Sequence, residues 1–282
     1  MTIRISILGA GAMGRVHAAA YGAIEDVTVV GMLSGKEVRD GIDGLLASVD
    51  AVDICLPSAV HRPCVVRALD AGKHVFCETP LALTMEDALA MRDAARRAGR
   101  LLQVGLLMRA VDAYRGFRDA VVSGEHGKLL TVSTWRLGSY LHPDAPNHKT
   151  HYGEPTTELM TFDLDFIQWV MGRPAHVSAN ASGEVTALLA FADGRHATVT
   201  ASGLMPPSSP FTVGFRALFE KTVVEHEIVF DGAPPSGRNP YEVELRRFVD
   251  CIEGRADPEL LDVDRAIEAL ELSLEIQRAS KG

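Results

Sequence analysis

Three glycines are the first residues whose type and spacing imply chemistry. Gly9-Ala10-Gly11-Ala12-Met13-Gly14 follows an aliphatic strand-like run at residues 3–8 and precedes a helical run. At this spacing Gly9 permits a tight turn, Gly11 lets a pyrophosphate approach the backbone, and Gly14 lets the helix pack on the strand. The helix that Ala12 and Met13 open presents N–H groups and partial positive charge to phosphates. A dinucleotide is the expected ligand. A second strand at 27–33 ends at Ser34, about 20 residues beyond the fingerprint, where an acidic residue would hold a ribose 2′-hydroxyl. Ser34, Lys36 and Arg39 instead offer a hydroxyl and two cations suited to a 2′-phosphate, so NADP(H) is expected in preference to NAD(H). The alternative reading of Lys36 and Arg39 is a solvated loop.

Residues 71–84, AGKHVFCETPLALT, form the second chemical stretch. Lys73 to Cys77 read as a short buried strand. Pro80 stops it and biases Thr79 toward extended geometry. Glu78 and Thr79 thus sit at the carboxyl end of a sheet strand, where open α/β sheets place their ligands. The loop 141–152 carries His142, His148, Lys149, His151 and Tyr152. A histidine there would titrate near neutrality and serve as acid or base; the competing reading is a polar surface loop. His142, His148 and His151 have ligand chemistry but follow no zinc spacing, so no metal is expected. A helix beginning near Pro155 within the segment 153–172 puts Glu158, Phe162 and Asp165 on one face. Glu158 and Asp165 stand two turns apart, about 10 Å along the axis, too far to share a proton.

These groups need a parallel sheet to position them. Buried strands are expected at 49–56 and 101–105, with amphipathic helices at 63–71 and 84–99, the latter opened by a Thr84-x-x-Asp87 cap and stopped by Gly99. A Rossmann dinucleotide-binding domain is therefore assigned to 1–107. From 108 to 282 the pattern changes to a helix at 110–123 and strand-like runs at 129–135, 175–181, 185–191, 197–202 and 223–230. This predicts an α+β domain with a large, mainly antiparallel, open-faced sheet. Helices at 241–253 and 262–280 read as packing elements. The fold class is thus α/β followed by α+β.

The 282 residues are 47% hydrophobic and 23% charged, enough for one large core or two medium ones, and the formal charge of −9 argues against non-specific nucleic-acid binding. No apolar run reaches membrane-spanning length. A first strand beginning by Ile3 is expected to leave no room for a secretory leader. Cys55, Cys64, Cys77 and Cys251 show no Cys-x-x-Cys spacing, so a reducing cytoplasm is the expected compartment.

The segment from Ala71 to Pro80 resembles the Ala-Gly-Lys-His-Val-x-x-Glu-Lys-Pro signature of the Gfo/Idh/MocA family, nicotinamide-dependent oxidoreductases of sugars, inositols and related small molecules. Thr79 occupies the family's catalytic lysine position. Leu56-Pro57 and the Pro57-to-His61 spacing resemble the family's Pro-x-x-x-His turn beside the nicotinamide ribose, with Glu78 also against the cofactor; His61 reads equally as a helix-start residue. Arg109 follows strand 101–105 where the family commonly has arginine. The segment 153–172 aligns with an Asp-x-x-x-His-x-x-Asp pattern, which gives Glu158 the first acidic position and Phe162 the histidine position. The stretch between Gly35 and Ser48 is short for the family, with a helix and a strand trimmed or absent. The resemblance implies catalytic candidates Thr79, His151, Tyr152 and Glu158, and substrate contacts from Thr79, Arg109, His148, Lys149 and Phe162. It also implies a homodimer or homotetramer joined through the open sheet face. The expected activity is NADP(H)-dependent hydride transfer to or from a small polar substrate: a sugar, a polyol, or a hemiacetal or semialdehyde. The alternative is a catalytically silent cofactor-binding sensor or regulator of the same fold.

Overall fold

The computed structural model describes residues 2–145, 154–182, 184–230 and 237–281. The chain forms two compact units, Met1–Ala110 with Arg238–Ile267, and Val111–Gly237 with Glu268–Gly282.

The first unit alternates strand and helix: β1 (Ile3–Leu8), α1 (Ala12–Gly22), β2 (Val27–Leu33), α2 (Gly35–Asp40), α3 (Asp43–Leu46), β3 (Ala51–Ile54), α4 (His61–Asp70), β4 (His74–Cys77), α5 (Met85–Ala98) and β5 (Leu102–Val104). All strand pairs are parallel, in the order β2-β1-β3-β4-β5. Ile5, Ile7, Val52, Ile54, Val75 and Phe76 are fully buried. Their near-continuous apolar runs are the pattern of strands covered on both faces. Between β2 and β3 stand only the two short helices α2 and α3, consistent with the short stretch there. Thr84 caps α5 by accepting from the Asp87 N–H, and Gly99 ends it with φ +58°, a left-handed conformation that costs glycine nothing.

In the second unit, α6 (Asp112–Ser123), β6 (Leu129–Leu137), α7 (Pro155–Glu158) and α8 (Met160–Met171) precede β7 (His176–Ala181), β8 (Val185–Ala190), β9 (His196–Ser202), β10 (Phe211–Phe219) and β11 (Val223–Phe230). The sheet order is β11-β10-β6-β9-β8-β7, with β6 and β9 parallel and every other pair antiparallel. One face buries Val132, Ala187, Val199 and Phe215. Tyr114 and Phe117 of α6 and Phe166 of α8 pack on Phe215 at ring-centroid distances of 4.9, 5.0 and 5.4 Å. The other face mixes hydroxyls with exposed apolar side chains: Thr198 Oγ1 donates to Ser133 Oγ, the Thr186 and Thr200 hydroxyls are 3.1 Å apart, and Leu188, Leu218, Val223 and Val229 are exposed.

Two features depart from the sequence reading. Strand β10 was not expected, because Gly214 and Arg216 interrupt its apolar pattern. A Cβ at Gly214 would lie 2.5 Å from Trp135 Cζ2, so the glycine makes room for the indole of the neighbouring strand. The single helix expected from near Pro155 is two helices, α7 and α8, divided at Leu159 (φ −114°, ψ −52°).

Two last helices, α9 (Pro240–Ile252) and α10 (Val263–Ala279), close the chain. Within the first unit α9 packs on the sheet through Leu245, Phe248 and Val249, with Phe248 5.5 Å from the Phe76 ring. Among the described residues no helix is long and apolar enough to cross a membrane.

Candidate cofactor and substrate sites

The glycine turn between β1 and α1 separates two demands. At Gly9 (φ +125°) a Cβ would meet Cys55 O at 2.4 Å, and at Gly14 it would meet Gly9 O at 1.8 Å, so backbone packing requires both glycines. At Gly11 a Cβ would meet nothing within 4 Å. Gly11 is also the N-cap of α1, and no side chain caps that helix. An open approach thus leads to an uncapped helix amino terminus flanked by exposed Ala12 and half-buried Met13, which fits a pyrophosphate.

At the end of β2, Ser34 caps α2 in a capping box. Its N–H and its hydroxyl each donate to Glu37 Oε2 at 2.7 Å, while its Oγ accepts from Glu37 N. These bonds to Ser34 hold the Glu37 carboxyl below its usual range. A carboxylate therefore does stand at the tip of β2, delivered three residues late; the Ser-x-x-Glu spacing was the available signal. Lys36 Nζ lies 2.8 Å from Asp40 Oδ2 on the surface. Arg39 is exposed, its Nη1 3.7 Å from where a Gly35 Cβ would stand.

Beyond β3, Leu56 and Pro57 lead into a turn stitched by His61. Its Nε2 is 2.8 Å from Leu56 O and its Nδ1 3.1 Å from Leu81 O, and the ring is 1% exposed. Burial pushes its pKa down. The ring's polar atoms hold the turn and the loop after β4 together. Past β4, Thr79 N–H donates to Glu78 Oε2 at 3.0 Å and Thr79 Oγ1 donates to Gly105 O at 2.8 Å. The Thr79–Pro80 peptide is cis. Arg109 is buried, and its Nη1 donates to Leu260 O at 3.2 Å. The strand ends thus gather the glycine turn, Ser34, Leu56, Pro57, Glu78 and Thr79 at the carboxyl edge of one sheet, while His61 and Arg109 are buried against backbone carbonyls.

Sequence reasoning missed what lies beneath this edge. His17 of α1 is fully buried, with Nδ1 2.8 Å from Asp53 Oδ2 and Nε2 2.7 Å from Glu78 Oε1. Cys55 Sγ stands 3.4 Å from the same Nδ1. Glu244 of α9 joins His17 and Glu78, its ligand atoms within 4.8 Å of theirs, and neither of its oxygens has a hydrogen-bond partner. Burial opposes a charge on His17, but Asp53, Cys55 and Glu78 outweigh it and raise its pKa far above the ordinary value. Burial, reinforced by Glu78, pushes the Glu244 pKa well up, which favours the protonated carboxyl. These donors would suit a cation, yet ligands around a tetrahedral zinc stand roughly 3.4 Å apart. The 2.7 Å between His17 and Glu78 is an ion-pair distance instead. The signals were a histidine on the buried face of α1, a carboxylate inside the apolar run Ala51-Val52-Asp53-Ile54, and Glu244 in line with Tyr241, Leu245 and Phe248.

The second unit has its own buried ionic group. Arg136 Nε of β6 is 2.9 Å from Asp163 Oδ2 of α8, and the Arg136 guanidinium lies 4.6 Å from the centre of the Phe162 ring. Burial raises the Asp163 pKa despite Arg136, and Asp163 Oδ1 has no partner. Phe162 therefore stacks on a cation where the resemblance puts histidine. Glu158 (8% exposed) and Asp165 (2%) are both buried, on either side of the break at Leu159. His148, Lys149, His151 and Tyr152 lie outside the described residues.

Known proteins resemble this chain across both units. It is 29% identical over 199 residues to the D-glucoside 3-dehydrogenase of Escherichia coli K12, covering 64% of this chain and 57% of that protein. It is 35% identical over 162 residues to the 1,5-anhydro-D-fructose reductase of Ensifer adhaerens, covering 56% of this chain and 45% of that one. The chain thus spans about half the length of the curated relatives it matches. The scyllo-inositol dehydrogenase of Lactobacillus casei, solved with NAD(H) and scyllo-inositol, superposes with a TM-score of 0.82 at 20% identity over 100% of this chain and 97% of that one, a likeness of fold. Residues 3–106 match the oxidoreductase family with an NAD-binding Rossmann fold, and residues 114–224 match the GFO/IDH/MocA C-terminal domain. With both halves of its architecture matched in order, and with the glycine turn and the Glu78-Thr79-Pro80 edge in place, the chain belongs to the Gfo/Idh/MocA family.

Proposed function

We propose that this protein is a nicotinamide-dependent oxidoreductase that moves a hydride to or from a carbinol or carbonyl carbon of a small polyhydroxylated substrate. The open approach at Gly11, between two glycines that the backbone itself requires, carries this reading. The glucoside and anhydrofructose named for two relatives support the substrate class. A bound nicotinamide supplies the hydride chemistry. The α1 amino terminus holds the phosphates. Glu78 fixes the Thr79 backbone, and the Thr79 hydroxyl, its proton on Gly105 O, has lone pairs left to accept from a substrate hydroxyl. Its high pKa bars it from replacing a lysine in proton transfer, which we assign to His151 or Tyr152, with Glu158 contacting substrate. The exposed Leu188, Leu218, Val223 and Val229 support self-association through the second sheet.

Lys36 and Arg39 support a preference for NADP(H). Glu37, bonded to Ser34, supports the opposite choice, since its carboxylate would accept ribose hydroxyls and repel a 2′-phosphate. Fluorescence titrations with NADPH and NADH, run beside turnover assays on inositols, glucosides and semialdehydes, decide both points. Tighter NADPH binding that Lys36→Ala with Arg39→Ala erases is the expected result; an NADH preference that Glu37→Gln erases reverses the cofactor assignment. Cofactor binding without turnover across the panel would replace the enzyme with a sensor.

A further inference from the structure

His17, Asp53, Glu78 and Glu244 come from α1, β3, the turn after β4 and α9, yet they meet in one buried cluster. His17 is 0% exposed, so it touches neither cofactor nor substrate. One of its ring nitrogens is hydrogen-bonded to Asp53, the other lies at ion-pair distance from Glu78 without hydrogen-bond alignment, and Glu78 in turn holds the Thr79 N–H. Gly105 leaves room for the second Glu78 oxygen, since a Cβ there would stand 3.1 Å from Oε2. We propose that His17 is a positioning residue: as an imidazolium seated on Asp53 it clamps the Glu78 carboxylate, and through it the Thr79 turn against which the reacting carbon is held. The kinetic consequence rests on the oxidoreductase reading above; the electrostatic one does not.

The groups that face His17 are Tyr21 on its own helix, Asp53 and Cys55 from β3 and the residue after it, Glu78, and Tyr241 and Glu244 from α9. Among these groups the imidazolium is the cation that stands between Asp53 and Glu78. Replacing it with a neutral amide leaves the Asp53 and Glu78 carboxylates without the charge between them, in a buried site. Glu78 is the one with access to solvent, so it takes up the proton and loosens its hold on Thr79.

Two measurements on the full chain test the clamp. Nitrogen-15 spectra of labelled histidine should show the His17 ring protonated on both nitrogens from about pH 6 to about pH 9, with Glu78→Gln bringing its titration down toward that window. A neutral His17 ring at pH 7 would overturn the clamp whatever the protein turns over. On the best substrate, His17→Gln should lower kcat about 100-fold with KM and cofactor affinity changed less than about threefold, the cost of a small misplacement. Its rate should also fall toward acid pH, where the parent profile is flat. The double variant with Glu78→Gln should lose no more than His17→Gln alone. A loss that merely tracks the folded fraction, an unchanged pH profile, or additive losses would refute positioning. If His17→Gln does not fold, Glu78→Gln should show the same kcat loss at unchanged KM, and full activity in it would refute the clamp. Absence of turnover in the parent chain would sink the oxidoreductase reading alone, and the nitrogen-15 result would then decide the clamp.

Discussion

Each unit buries a cation, and the two are satisfied in different ways. In the first, His17 is shared between Asp53 and Glu78, one carboxylate at each ring nitrogen, with Glu244, its pKa raised by burial, alongside. In the second, Arg136 meets Asp163 through one carboxylate oxygen and covers Phe162, while the other oxygen of Asp163 stays without a partner. The shared arrangement links elements distant in sequence and holds a ligand-facing turn, whereas the pair joins one strand to one helix. A buried charge that loses its partner is costlier than the intact pair is stabilising. The second unit should therefore be the more brittle. Asp163→Ala, which strands Arg136, should cost about 3–5 kcal/mol in urea unfolding, and Arg136→Met with Asp163→Leu should recover most of it. A loss below about 1 kcal/mol for Asp163→Ala would show that water already reaches the pair and would erase the contrast.

The glycine turn allows a sharper test within the first unit. Gly14→Ala drives a methyl into the Gly9 carbonyl, where backbone rather than a flexible side chain must yield. It should cost about 1–3 kcal/mol or more and lower the melting temperature with or without cofactor. Gly11→Ala meets nothing within 4 Å, so it should leave the melting temperature of the free protein nearly unchanged and weaken NAD(P)H binding by about tenfold or more. Equal effects on stability would mean that the turn is packed for its own sake and that Gly11 marks no ligand approach.

What was legible in the sequence follows from how each site is built. The glycine turn is made of backbone, its requirements are local, and residue type with spacing states them directly. Strands β1 and β2 have the bounds their patterns imply: β1, buried along almost its whole length, reads as a continuous apolar run, and the edge strand β2 reads as a β-branched one although alternate side chains are exposed. Strand β10 was hidden because Gly214 answers to Trp135, a neighbour 79 positions earlier in the numbering, and no local pattern carries that information. The His17 cluster was hidden for the same reason. Each member is one polar residue on an otherwise apolar face, and only the fold brings Glu244 to His17. The Glu37 carboxylate was hidden by a shorter reach, a capping box that returns a side chain to the N-cap three residues before it.

The first unit's cluster should also write itself into the pH dependence of stability. Glu244 has a folded pKa above its unfolded value, so between the two the native state binds the extra proton. Its contribution therefore falls as pH rises above about 4.3. His17 is raised as well: its stabilisation is complete below about 6.5 and declines as pH climbs through its folded value. Glu37, Asp43, Asp50 and Asp87, all lowered, act in the opposite sense, and their stabilisation disappears only in acid. Between about pH 4.5 and about pH 6.5 Glu244 thus adds a falling slope, in the same sense as the raised Asp163 and against the lowered His61, His74 and His226. Glu244→Gln should flatten it, gaining about 1.4 kcal/mol at neutral pH for each unit by which the folded pKa had been raised. An unchanged slope in urea unfolding across that window would mean that Glu244 is ionised and that His17 balances three carboxylates.

Thr79 gives the smallest effect and separates a neutral contact from the ionic ones beneath it. Its hydroxyl gives its proton to Gly105 O and its N–H is taken by Glu78, so the side chain is fixed before any ligand arrives. Thr79→Val keeps the shape and removes one neutral hydrogen bond, which should cost about 1 kcal/mol of stability. Thr79→Ser keeps the bond and should cost less. If the hydroxyl orients a substrate oxygen without transferring its proton, Thr79→Ala should lower kcat/KM about tenfold, while His151→Ala or Tyr152→Phe should do more harm if proton transfer lies in that loop. The ranking is the informative part. Near-total loss in Thr79→Ala with normal activity in both loop variants would place the proton transfer at the strand end, directly above His17, and the clamp would then hold the chemical group itself rather than the turn that carries it.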